Sequence, residues 1–361
     1  MNAARARNGS ASAALRWAQG LALALMTFAL GWPALAAPAC PGFDEAGSGS
    51  AHGITECKIG AYVVGLHGID TARGSFGADL WLWTNCPAAS DHPNGLRFLE
   101  VLNAEAKMDD IEDHRTLDQR GDLCWGSLKL SGNFRHAFDL RNFPFDRQVL
   151  TIDLEESEDD IRSFRLLIDR VGSGLKPELA LDGWQIDGAH AFDIVPKPST
   201  YVTNFGDPSL TAEQSIYSGA QIKIAIKRAD WQSFIRLTIP VYIAAILALL
   251  TFLMQPDGDS FINPRLTILA GLILAVVFNM RESEQDIGMS GGFSLLDQVH
   301  FIAFALIFAA TFVCSLWRFL GANGVSHKLL NRLDYVLLAA FAVLYVVANA
   351  LAINAAAHGL S

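Results

Sequence analysis

Several kinds of chemistry have no foothold in this 361-residue chain. It has only five cysteines, and none sits at the CxxC spacing of a zinc site, so no metal is expected. There is no G-x-x-x-x-G-K phosphate loop and no internal repeat. No nucleophile, base and oxyanion donors stand in a recognisable order, so neither an enzyme nor a cofactor is expected. Excess basic charge is also missing. The net charge is −10, and residues 37–232 carry 30 acidic against 18 basic side chains, a local charge of −12. That balance argues against a nucleic-acid partner.

What is present divides into two unlike halves. Hydrophobic residues make up 51% of the chain, too many for a purely soluble protein, yet the middle section is long and charged. Residues 1–36 run from Arg5, Arg7 and Arg16 through "GLALALMTFALGW" to Ala34-Leu35-Ala36, the order of a secretory signal peptide. Export makes the even set Cys40, Cys57, Cys86 and Cys124 disulfide candidates. Three pairings exist. Cys40 with Cys57 would staple a Gly/Ser-rich start, and Cys86 with Cys124 would join two strand-edge positions, which makes this the favoured set. Cys314, inside an apolar run, reads as packing.

From residue 54 to 230 the pattern is short alternating segments broken by Gly, Pro, Asn and Asp: "IGAYVVGLHGID", "SFGADLWLWTN", "DLCWGSLKLSGNF", "QVLTIDLEE", "RSFRLLIDR", "GWQIDGAHAFDIV" and "GAQIKIAIKR". This predicts an antiparallel β-sandwich over residues 37–230. The charge-dense stretch from Asp109 to Asp122 reads as a solvated loop. Four apolar runs follow within residues 231–361, at about 234–254, 264–281, 295–317 and 328–354, each long enough to cross a membrane as a helix. With an exported sandwich, Arg318, Lys328 and Arg332 fall on the cytoplasmic side and Glu282 and Glu284 outside, as the positive-inside bias requires. Asp257 and Asp259 run against it. The second run is short, and stepping by three or four residues aligns Asn263, Thr267, Gly271, Leu274, Phe278 and Arg281 on one face.

The stretch "DLRNFPFDRQVLTIDLEE" lies between these halves in character: Phe143-Pro144-Phe145 can hold a cis peptide in a tight turn, presents two apolar rings, and ends on the Asp146 carboxylate. "FPFDRQ" resembles the signature loop of pentameric ligand-gated ion channels, the Cys-loop receptor superfamily, in the bacterial form that lacks the loop's disulfide. Arg228 stands twelve residues before Pro240 in "RADWQSFIRLTIP", the family's spacing between its pre-membrane arginine and first-helix proline. The resemblance covers roughly residues 54–354. It implies a homopentamer, each chain having four identical partners, lying in the bacterial inner membrane with the sandwich in the periplasm. It also implies a joint in which Arg228 pairs with Asp146, Asp70 is a third member, and Phe143 and Phe145 pack on the connection "RESEQDIGMSGGFS". The second helix would line the pore, with Arg265 at its inner mouth and Leu274 and Phe278 forming the gate, which closes by dewetting.

The family's ligand site would take Glu156 and Ser157 from the loop after "FPFD", and Tyr201, Phe205 and Tyr217 from the last hairpin. Ser157 replaces the tryptophan of the animal receptors, so an amine cage is incomplete from this side. Protons are the competing trigger, with Asp297 and His300 at the start of the third span as the pair expected to sense them. Other partners would be membrane lipid, permeant ions and an unidentified small ligand. Glu282, Glu284 and the acidic outer domain favour cations, while Arg281 on the pore face opposes them. A non-conducting membrane receptor that signals through a partner protein is the alternative.

Overall fold

A computed structural model describes residues 39–358 except 44, 46–52, 107–111, 204, 207–213, 229–230, 255–258 and 288–292. The expected signal peptide lies outside the described residues, as do the side chain of Asn263 and the glycines of the connection between the second and third spans.

Two sheets face each other. The first has the order β4 (Glu112–Arg120), β5 (Leu123–Arg135), β2 (Ser75–Pro87), β1 (Thr55–Asp70) and β7 (Phe164–Ile168), with β8 (Gly174–Leu175) also on β1. The second has β10 (Phe192–Pro196), β12 (Ser215–Arg228), β6 (Arg147–Asp160) and β3 (Leu99–Val101), with β9 (Trp184–Ile186) and β11 (Ser199–Tyr201) also on β12. Period-two alternation sets the core. Ile59, Ala61 and Val63 of β1, Phe76, Leu80 and Leu82 of β2, and Leu128 and Leu130 of β5 meet Leu150, Ile152 and Leu154 of β6 and Ile222, Ile224 and Ile226 of β12. Each such large side chain contributes about 1.5–3 kcal/mol.

The sandwich is mostly antiparallel, with β7 and β8 running parallel to β1. Two expectations are corrected here. The charged stretch read as a loop contains β4, which pairs with β5 along its length. As a strand at the sheet's edge it keeps both ends of the pattern polar, which protects an unpaired edge from other chains and hides the strand from a hydrophobic reading.

The disulfides are Cys40–Cys124 and Cys57–Cys86, not the favoured set. Register explains this. Lys58 lies opposite Asn85, which makes Cys57 and Cys86 the next cross-strand pair, with Cα atoms 4.4 Å apart. Cys86 is flanked on its other side by Cys124 in β5, so it has two candidate neighbours and bonds the one in β1. Cys124 then takes Cys40 from the N-terminal segment.

Four helices complete the chain: α1 (Trp231–Leu250, followed by a 3-10 turn over Thr251–Leu253), α2 (Asp259–Ile287), α3 (Leu295–Ala322) and α4 (His327–Ala357). All four contain stretches long and apolar enough to cross a membrane, including Pro264–Ser283 in α2. α2 is not short, as its apolar run implied, because helix continues through Pro264 at one end and the polar residues after Met280 at the other. α3 packs against each of the other three.

Candidate coupling site

The β6–β12–β9 register creates the junction. Lys227 lies opposite Arg147, so the next row places Asp146 beside Arg228, and Arg228 is in turn opposite Trp184. Arg228 Nε donates to Asp146 Oδ1 at 2.6 Å and Nη2 to Oδ2 at 3.1 Å, while the Arg228 backbone N–H donates to the Asp146 carbonyl at 3.1 Å. Asp146 is only 1% exposed. This is a bidentate, desolvated pair of the kind guanidinium geometry favours. The guanidinium lies 4.2 Å from the Trp184 ring centroid and 4.7 Å from that of Phe143, a cation held between two aromatic faces. Gln148 Nε2 adds a bond to Asp146 Oδ2 at 3.2 Å and another to the Asp139 carbonyl at 2.7 Å, and its Oε1 accepts from the Asp139 N–H at 3.1 Å.

The turn reaches the helices directly. Its Phe143–Pro144 bond is cis. Phe143 is buried in the cluster formed by the helices, 6.5 Å from the Phe234 ring of α1 and grouped with Leu295, Leu296 and Val299 of α3. Phe145 packs against the same cluster. The Leu295 N–H donates to the Arg141 carbonyl at 3.0 Å, so the first residue of α3 is bonded to the sandwich loop. The aromatic tip therefore seats on α1 and the start of α3, adjoining the connection that the sequence pointed to.

Asp70 does not join the pair. Its carboxylate accepts the Arg73 N–H at 2.9 Å and lies 3.7 Å from Arg73 Nε, which ties it into its own β1–β2 turn. It shares with Trp184 and Arg228 the wall of an open cleft of about 610 Å³.

The last hairpin brings Tyr201, Phe205 and Tyr217 into one cluster with centroids 5.4–6.4 Å apart. The carboxylate beside it is Glu155, which sequence reasoning passed over: the Tyr201 hydroxyl donates to its two oxygens at 3.0 and 3.1 Å. Glu156 faces the other way, since neighbours on a strand alternate. It accepts the N–H groups of Glu158 at 3.1 Å and Asp159 at 2.7 Å, and burial pushes its carboxyl up to about 7. The Ser157 hydroxyl donates to the Phe98 carbonyl at 3.0 Å. Glu156 and Ser157 thus hold the loop and are not brought to the aromatic cluster.

On α2, Arg265, Leu269, Val276, Asn279 and Ser283 are buried against the neighbouring helices. Thr267, Gly271, Leu274, Phe278 and Arg281 lie on the exposed side, Leu274 at 59% and Phe278 at 67%. Arg265 does not stand at a pore mouth. It is 1% exposed, and its Nη1 and Nη2 donate to Asp334 of α4 at 3.2 and 3.4 Å. Trp317 Nε1 of α3 donates to the same carboxylate at 2.7 Å, and the Phe252 ring lies 5.6 Å from the guanidinium. All four helical segments meet at this charge.

Asp297 and His300 do not form a sensing pair. Asp297 closes a capping box, accepting the Ser294 N–H at 2.8 Å while its own N–H donates to the Ser294 hydroxyl at 3.1 Å. His300 is fully buried, with Nδ1 2.7 Å from the Leu296 carbonyl and Nε2 3.0 Å from Asn279 Oδ1. Trp184, Gln148, Glu155 and Asp334 were all missed in the sequence. The first three become visible only with strand register, and Asp334 only once α2 and α4 are packed together. No protein-family model matches the chain, and no curated protein is significantly similar to it.

Proposed function

We propose that the chain is one subunit of a homopentameric ion channel of the bacterial inner membrane, opened by a small ligand or protons acting on a periplasmic β-sandwich. The observation that carries this reading is the row Asp146–Arg228–Trp184, which locks the Phe143 turn against α1 and α3. A sensor domain whose base is locked by an ion pair behind a turn seated on the helices has a route for moving them. The α2 face centred on Leu274 and Phe278 is the second support. Among the described residues Leu274 and Phe278 are left exposed, as a helix facing the axis of a ring requires. The hairpin cluster of Tyr201, Phe205 and Tyr217 beside Glu155 suits an organic ammonium ligand, and the acidic sandwich suits cations.

The apolar character of that α2 face favours one second reading, a non-conducting receptor that passes the sandwich's signal to a partner protein. Stoichiometry separates the two. Mass measurement of the detergent-solubilised full chain should give a fivefold ring, whereas a stable monomer or dimer would remove the channel.

A further inference from the structure

Arg236 falls inside the membrane-length stretch Gln232–Leu253 of α1, and Glu282 inside Pro264–Ser283 of α2. Both side chains are exposed on the subunit, and neither has a partner among the described residues. A charge within a span is costly, so such residues pair with one another or face water. Arg265, held by Asp334, follows that rule. Arg281 shares the exposed α2 face of Leu274 and Phe278, which looks onto the axis of the proposed ring. Arg236 has no such outlet: it stands on α1 opposite the buried residues Phe234, Thr238 and Val241.

The two charges lie at one depth. Phe234 packs under the Phe143 turn, and the Leu295 N–H bonds to the same loop, so α1 and α3 enter the bundle level with each other. Arg236 is two residues below Phe234, about 3 Å at the helical rise. His300 is five residues below Leu295, about 7.5 Å, and its Nε2 lies 3.0 Å from Asn279 Oδ1 on α2. α2 runs antiparallel to α3, since Arg265 and Trp317 meet at the other end through Asp334. Glu282, three residues past Asn279, is therefore about 4.5 Å back toward the sandwich, which leaves it too about 3 Å below the turn.

They also lie on sides that a ring brings together. α1, α2 and α3 pack pairwise, so with Leu274 and Phe278 toward the axis, α1 and α3 form the two flanks of α2. Glu282 is in line with the exposed Ile268 and Ala275, between the axial face and Asn279, which is the flank that α3 takes. Rotation about the axis sets that flank against the α1 flank of the next copy. We infer that Glu282 of one copy pairs with Arg236 of its neighbour, so that a second copy of this chain supplies the partner each charge lacks. The inference rests on the ring reading and deepens it. Arg236 stands two residues from Phe234, which the Phe143 turn covers, so the pair carries movement at one copy's joint to α2 of the next.

The test uses the full chain in lipid nanodiscs with Cys314→Ala, which removes the one free thiol. Arg236→Cys with Glu282→Cys, treated with a bis-maleimide that spans the pair, should give a covalent ladder ending at the pentamer on a denaturing gel. Either cysteine alone should stay monomeric, because the contact joins two different positions. Separately, Arg236→Glu or Glu282→Arg should lower the fraction of chain that stays assembled in detergent on the order of tenfold, as like charges opposed across an interface do. The double exchange should restore it. The cysteine pair reads the contact even where a reversed charge prevents folding. An assembled ring with no ladder, a dimer from one cysteine alone, or a double exchange that restores nothing overturns the pair and leaves the channel standing, with Arg236 reaching lipid phosphate instead. A ladder that ends at another number upholds the contact and removes the pentamer.

Discussion

Arg265 and Asp334 meet at 3.2 Å in the interior of the four helices, both essentially excluded from solvent. A charge pair so placed ties α2 to α4, and Trp317 brings α3 into the same contact. Removing one partner strands the other charge, so Asp334→Ala should cost about 3–5 kcal/mol, seen as a lowered melting temperature of the purified protein. The paired apolar replacement Arg265→Met with Asp334→Leu should recover most of that loss. A single variant as stable as wild type would show that the pair contributes nothing.

At the junction, Asp146→Ala should be more damaging than Trp184→Leu. The first leaves Arg228 buried and uncompensated, at about 3–5 kcal/mol. The second removes one of the two rings over the guanidinium, about 1–2 kcal/mol beyond its packing loss. Both changes should weaken the coupling between Arg228 and Phe234 in a double-mutant cycle. Additive effects at those two positions would sever the proposed route from sheet to helix.

Glu156 gives the sandwich a defined pH dependence. Its carboxyl is raised in the folded state from an ordinary 4.5 to about 7, so the folded chain holds a proton that the unfolded chain has released between those values. Its contribution to stability is fully present below about pH 4.5 and is lost as pH rises through about 7. Glu156→Gln should therefore flatten the melting temperature against pH across that window. A variant whose curve parallels wild type would assign the dependence to other groups.

The disulfides close loops of different length. On the chain-entropy account, Cys57–Cys86, separated by 29 residues, stabilises by about 3–4 kcal/mol, and Cys40–Cys124, separated by 84, by about 4–5. Peptide mapping without reduction should recover these two pairs, and Cys57→Ala with Cys86→Ala should lower the melting temperature. Recovery of Cys40–Cys57 would contradict the register.

Local patterns in the sequence reached the architecture and the main pair of the joint. Alternation gave most strands, apolar length gave four spans, and the resemblance of "FPFDRQ" and of the Arg228–Pro240 spacing to the channel family implied that Arg228 pairs with Asp146. What stayed hidden depends on register or on distant packing. β4 is charged because it is an edge; Cys86 has neighbours on both sides, and only the strand order decides between them. Asp297 and His300 are close in sequence, yet one folds back onto Ser294 while the other turns inward toward Asn279. Asp334 stands 69 residues from Arg265 and has no local mark of its role.

Current through Leu274→Ala is the most direct test of the account. Leu274 and Phe278 are the most exposed large apolar side chains among the described residues of α2, and truncating the first should wet a narrow apolar constriction and let ions pass without the natural trigger. Under voltage clamp with a salt gradient, the variant should carry a standing current whose reversal potential follows the cation gradient. Protein at the cell surface with no current above background would contradict the channel, and reversal at the anion potential would contradict its selectivity.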